Sequence, residues 1–308
     1  MTTLVFPGQG SQFVGMTKDF HDNFTIAREI FDMIETNTKI NIRDIIFENK
    51  FNFLNVTQYT QLAVFCSSMC IFNVLKKEIY NNKLPINFSL GHSLGEYSAL
   101  VASNVISIKD CCNLLKIRGE LMQNAYRKNM SGMAAVIGLD CVKVEKIISD
   151  NRLNVEVAND NSPLQVVISG IKEDLATAEL MIMNNGAKKF IYINVSAAFH
   201  SKIMKIAEEK MLLFLNKVSF NKPSNRIISN FSATDTNDPR VIFYNLSKQM
   251  SNKVRWVESI KCLDNLHETK IIEIGPGTIL SGLIKRISNN FTVTNINSIK
   301  DLDNFANA

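Results

Sequence analysis

The chain has 308 residues, 46% of them hydrophobic and 20% charged, a balance that excludes a disordered, collagen-like or low-complexity protein. Lys and Arg exceed Asp and Glu by 34 to 29, so the formal charge is +5. That mild excess suits an acidic partner but is far from a nucleic-acid signature. The six cysteines form no CxxC pair and read as buried free thiols of a reducing compartment. The apolar run at Leu4–Phe6 is too short for a secretion signal, and Leu62–Leu75 is too short to span a bilayer. A soluble cytoplasmic protein is expected, with no membrane or nucleic acid among its partners.

In chain order, a strand over Thr3–Phe6 runs into the turn Pro7-Gly8-Gln9-Gly10-Ser11-Gln12, and helical patterns dominate to about Tyr80. A second strand, Ile86–Leu90, feeds directly into Gly91-His92-Ser93-Leu94-Gly95 and then a helix. Ser107 and Asp110 ahead of an apolar run predict a capped helix carrying Arg118. From Met133 the rhythm changes to strand, helix, strand (Val155–Ala158), a turn over Asn159–Pro163, strand, helix and strand. That βαββαβ order is a ferredoxin-like pattern. A helix over Lys202–Val218 follows, then strands near Arg226–Ile228 and Lys270–Ile274, and a Gly275-Pro276-Gly277 turn into a last helix. The expected fold is α/β. A large α/β-hydrolase-like domain with a parallel sheet core takes 1–127 and 196–308, and a small ferredoxin-like subdomain is inserted over 128–195.

A GxSxG between a strand and a helix is a nucleophile elbow, in which flanking glycines permit the tight turn that lifts the serine hydroxyl clear. It places Ser93 at a helix N-terminus, where free N–H groups favour an oxyanion. A serine nucleophile needs a base. Of the four histidines, His21 and His267 read as surface residues, and His92 points away from its neighbour on a sharp turn. His200, after the last strand of the small subdomain, is the candidate. The Gly8-Gln9-Gly10 turn fails the dinucleotide and P-loop patterns. It reads either as a plain strand-ending turn or as the source of an N–H near Gln9 that would complete an oxyanion hole with that of Leu94. Arg118, in a largely apolar helix, needs a carboxylate partner, and Glu96 or Glu120 would serve.

Together these residues resemble the malonyl-CoA:acyl-carrier-protein transacylase family across essentially the whole chain. The shared stretches are FPGQGSQ (Phe6–Gln12), Thr60-Gln61, GHSLGEYSAL (Gly91–Leu100), Ile117-Arg118-Gly119, NSP (Asn161–Pro163) and QVVISG. They continue with AAFHS (Ala197–Ser201), Lys248-Gln249-Met250, Val254-Arg255-Trp256 and EIGPG (Glu273–Gly277). The resemblance implies Ser93 as nucleophile and His200 as base of a dyad, with the main-chain carbonyl of Gln249 orienting the histidine. It also implies oxyanion donors at Gln9 and Leu94, Arg118 as the clamp for a malonyl carboxylate, and Gln61 and Asn161 as pocket residues. Malonyl-CoA and holo acyl carrier protein would be the substrates of a monomer, in fatty-acid synthesis, with no metal or bound cofactor. A thioester hydrolase, a trans-acting polyketide acyltransferase and a non-catalytic scaffold are the competing readings.

Overall fold

The computed structural model describes residues 2–80, 85–127 and 130–307. Its strands are β1 (Thr2–Phe6), β2 (Ile86–Gly91), β3 (Ser131–Ile137), β4 (Val155–Ser162) and β5 (Gln165–Ile171). They continue with β6 (Lys189–Ile193), β7 (Arg226–Ile228), β8 (Asp235–Thr236), β9 (Lys270–Ile274) and β10 (Thr292–Ile296). Two sheets result, one ordered β10-β9-β1-β2-β7-β8 and one ordered β4-β5-β3-β6. In the first every pairing is parallel except β7 with β8. In the second every pairing is antiparallel.

The parallel sheet is covered on both faces, so even polar positions of its central strands are enclosed: Ser89 of β2 and Glu273 of β9 are fully buried. β1 is buried at every position and β2 from Phe88 onward. One face carries the helices Thr25–Thr38, Thr57–Val74 and Ile108–Gln123. Thr57–Val74 is enclosed on nearly all sides, with Leu62, Phe65, Met69 and Ile71 at 0% exposure. Each such side chain contributes about 1.5–3 kcal/mol relative to exposure. A separate cluster built on Val5, Leu90, Trp256, Ile260 and Leu283 fills the opposite face.

Most sequence expectations hold to within a residue or two, and Ser107 caps its helix by accepting a hydrogen bond from the Asp110 amide (3.0 Å). Several do not. Asn159–Ser162 is strand rather than turn: β4 runs through it, and Asn159 also bridges to Val254. The Asp160 amide donates to Val254 O (3.0 Å) and the Val254 amide to Ala158 O (2.8 Å), which keeps these polar residues extended. The helix expected over Lys202–Val218 is a 3-10 turn, Lys202–Met204, followed by Lys205–Leu215. The helix after Gly277 (Ile279–Ile287) is not the last, because β10 and the helix Ile299–Ala306 follow it. The start of the inserted segment, expected at 128, lies outside the described residues. No helix among the described residues is long and apolar enough to cross a membrane.

Candidate active site

β1 and β2 are parallel neighbours, so the turns that leave their C-terminal ends lie side by side. The two turns touch so closely that side chains are excluded. A Cβ on Gly95 would fall 2.1 Å from Phe6 O, and one on Gly8 2.5 Å from His92 O. Between the flanking glycines Ser93 is held at φ 53, a left-handed conformation that costs a residue with a Cβ of order 1 kcal/mol or more. Asn230, just beyond β7, locks this turn: its Oδ1 accepts from the Ser93 amide (2.7 Å) and its Nδ2 donates to Gly91 O (2.6 Å).

His200 is brought to Ser93 from the segment after β6, with Oγ and Nε2 2.8 Å apart. On the other side of the ring, Nδ1 faces the carbonyls of Gln249 (3.0 Å) and Asn252 (3.2 Å). Carbonyls only accept, so the proton sits on Nδ1 and the Nε2 lone pair is left for the serine hydroxyl. Burial and the nearby Arg118 charge push the His200 imidazole down to about 3, partly offset by the bond to Gln249 O. It is neutral and able to accept a proton. His92 is not the partner of Ser93. Its Nε2 meets Asn161 Oδ1 (2.8 Å), and burial lowers its basicity as well.

Arg118 is 1% exposed. Its Nη2 donates to Ser93 Oγ (3.1 Å) and Gln249 Oε1 (2.9 Å), and its Nη1 donates to Gln61 Oε1 (2.5 Å). The expected carboxylate partner is missing: no Asp or Glu among the described residues makes an ion pair with it. Glu120 instead takes a bond from Gln58, and Glu96 takes bonds from Gln249 and Asn230. Its partners are all neutral, the Ser93 hydroxyl and the side-chain amides of Gln61 and Gln249, so no carboxylate touches this buried guanidinium. Gln249 does more than its backbone suggested, since its Nε2 also donates to Ser93 O (2.9 Å) and Glu96 Oε2 (2.7 Å).

These groups open on a cleft of about 340 Å³ lined by Gln9, Gln61, Ser93, Leu94, Arg118, Asn161 and His200, among others. Neither the Gln9 nor the Leu94 amide donates to an acceptor among the described residues. The Ser93 amide is taken by Asn230, so of the two amides at the elbow it is that of Leu94, preceding the helix Gly95–Ala102, that is available. The far wall is the small sheet, through Met133, Ala135, Val167 and Ile193. All eight residues singled out in the sequence thus meet at one place. Asn230 and Glu96 escaped that reading as parts of this network. The sequence alone offers Glu96 only as an ion-pair partner, and Asn230 stands in no motif that marks it. His21 is half-buried where a surface residue is expected: its ring lies near Phe31 and Phe47, with centroids 5.1 and 5.2 Å away, and keeps some exposure. Among the described residues no three His, Cys, Asp or Glu side chains gather as a metal site would require.

A hydroxyl on a strained elbow, a neutral imidazole beside it, and unengaged amides at Leu94 before a helix and at Gln9 on the adjoining turn are the parts of a serine acyl-transfer site. The family model described as acyl transferase domain matches residues 3–302, and the chain belongs to this acyltransferase family. Within it, the chain is 35% identical to the malonyl CoA-acyl carrier protein transacylase of Staphylococcus aureus (strain MRSA252), over 98% of this chain and 97% of that protein. It superposes with a TM-score of 0.95 on the crystal structure of an acyl-carrier-protein S-malonyltransferase from Bartonella henselae, at 35% identity over 99% and 98% of the two chains. A malonyl-transacylase solved in complex with its type II PKS acyl-carrier protein also matches with a TM-score of 0.95, at 31% identity over 99% of each chain.

Proposed function

We propose that this protein moves a malonyl group from malonyl-CoA to the phosphopantetheine thiol of an acyl carrier protein, in two half-reactions through a malonyl ester of Ser93. In the first, Ser93 Oγ gives its proton to His200 Nε2 and attacks the thioester carbonyl. The oxyanion forms against the amides of Gln9 and Leu94, and its collapse expels CoA, whose sulfur takes the proton back from His200. In the second, the carrier thiol passes its proton to His200 and attacks the ester carbonyl, and Ser93 leaves as a free hydroxyl. Gln249 O keeps the proton on Nδ1 throughout, while Gln61 holds the guanidinium and Asn161 holds His92 at the cleft wall. No step calls on a metal or a bound cofactor.

The observation that carries the reading is Arg118, a buried guanidinium beside Ser93 that makes no ion pair with a protein carboxylate among the described residues. A malonyl group brings the carboxylate contact that the guanidinium lacks. A hydrolase that clears varied acyl groups would gain nothing from such a residue. The net charge of +5 suits an acidic carrier protein. We read the architecture as an α/β-hydrolase-like domain over 1–127 and 196–308 with a ferredoxin-like subdomain over 128–195. The order β4-β5-β3-β6, with a helix between β3 and β4 and another between β5 and β6, supports the latter. A cytoplasmic monomer working in fatty-acid synthesis is the setting this reading implies.

Intact-protein mass spectrometry after brief exposure to malonyl-CoA tests it. Wild type should gain one malonyl group and lose it on addition of holo carrier protein, whereas Ser93→Ala should gain none. Arg118→Ala should cut kcat/KM for malonyl-CoA about 100-fold, the cost of removing one partner of a buried charge pair, and spare or raise acetyl transfer. An adduct that decays to malonate equally fast with and without carrier would make the protein a hydrolase. Undiminished malonyl use by the arginine variant would overturn the clamp.

A further inference from the structure

Glu96 is the residue next to the elbow that the mechanism leaves without a task. It is fully buried, and its carboxylate takes two hydrogen bonds, from Gln249 Nε2 (2.7 Å) and the Asn230 amide (3.0 Å). Both fall on Oε2, and Oε1 has no partner among the described residues. A glutamine side chain could accept both bonds through its one oxygen. What a carboxylate adds is charge, and a buried charge is costly unless something of opposite sign answers it. The group that answers is Arg118. The two are not in contact, because the side-chain amide of Gln249 stands between them, donating to Glu96 and accepting from Arg118 at 2.9 Å.

We infer that Glu96 is the counter-charge of Arg118, held one amide away, and that it sets how firmly the site grips a carboxylate-bearing acyl group. Direct contact would occupy the guanidinium and close it to substrate. No counter-charge at all would leave a bare buried cation that grips a dicarboxylic acyl group tightly and gives it up slowly. At one remove, Glu96 offsets the desolvation of Arg118 in the empty site and opposes the incoming carboxylate by its like charge. Glu96 is thus a positioning and specificity residue that acts through Gln249 and touches no reacting atom. The inference rests on reading Arg118 as the malonyl clamp.

The test is a double-mutant cycle of Glu96→Gln and Arg118→Met at pH 8, read first by urea unfolding, which needs no substrate. In the Arg118 background Glu96→Gln should raise the unfolding constant about tenfold. In the Arg118→Met background the same change should be neutral or stabilising, since it then removes a carboxylate left alone. Additive effects would overturn the inference, as would failure of both the single and the double variant to fold. Folding of the double variant alone would support it. The second readout is the ratio of KM values for malonyl-CoA and acetyl-CoA, which should fall about threefold in Glu96→Gln as the like charge is lost. A ratio that stays level or rises, in a wild type that does prefer malonyl, defeats the inference alone. A wild type with no such preference defeats the clamp reading and the inference with it.

Discussion

The two sheets differ in what they can tolerate. The parallel sheet is buried on both faces, with β1 buried along its length, and the turns at its C-terminal edge that carry Ser93, Gln9 and Leu94 meet backbone to backbone at Gly8 and Gly95. The antiparallel sheet ends in an edge strand, β6, whose Ile191, Tyr192 and Ile193 are 49, 50 and 37% exposed. One sheet carries the nucleophile and the oxyanion amides on its turns; the other supplies a wall and leads into the segment that bears His200. Backbone meets backbone at the turns that carry the chemistry, and latitude lies across the cleft.

That contrast can be broken or sharpened by experiment. At the elbow, Ser93→Ala should lower malonyl transfer by about 10⁴-fold or more, measured as carrier acylation. Gly95→Ala forces a Cβ onto Phe6 O and should cost about 3 kcal/mol in urea unfolding; an unchanged midpoint would mean the two turns can part. His200 links the two regions, and its depressed basicity gives a pH test. Below pH 6.5 the unfolded chain binds a proton that the folded site refuses until about pH 3, so acid lowers stability across that window. His200→Gln should flatten the slope there by about 1.4 kcal/mol per pH unit, read from unfolding at a series of pH values. On the far side, Ile191→Thr should change stability by less than about 0.5 kcal/mol and leave transfer within about twofold. A larger loss would place β6 among the tightly specified parts.

How much could be read in advance follows the same division. β1, β2 and β9 are legible because each is a short, mostly apolar segment that runs into a glycine-bearing turn, and the elbow because its glycines are imposed by local sterics. β10 was missed because an edge strand such as Thr292–Ile296 needs little apolar surface and shows no clear alternation. The polar end of β4 looked like a turn, and it is extended only because Val254, far along the chain, pairs with it. In the site, Ser93 and His200 carry their chemistry in their residue types. The side-chain bonds of Gln249, the lock by Asn230 and the placement of Glu96 depend on long-range packing, and no local pattern announces them.

The contact between the first turn and the elbow has a consequence for how this gene can vary. At Gly95 and Gly8 the obstructing atoms are main-chain carbonyls, of Phe6 and His92. A larger side chain at an ordinary core position can be rescued by trimming its neighbour elsewhere in the sequence. Here the neighbour has nothing to trim. A genetic screen for second-site suppressors of Gly95→Ala or Gly8→Ala should return true revertants and global stabilisers, and no compensating substitution at Phe6 or His92. The opening motif and the serine motif, distant in the chain, are in this sense a single heritable unit.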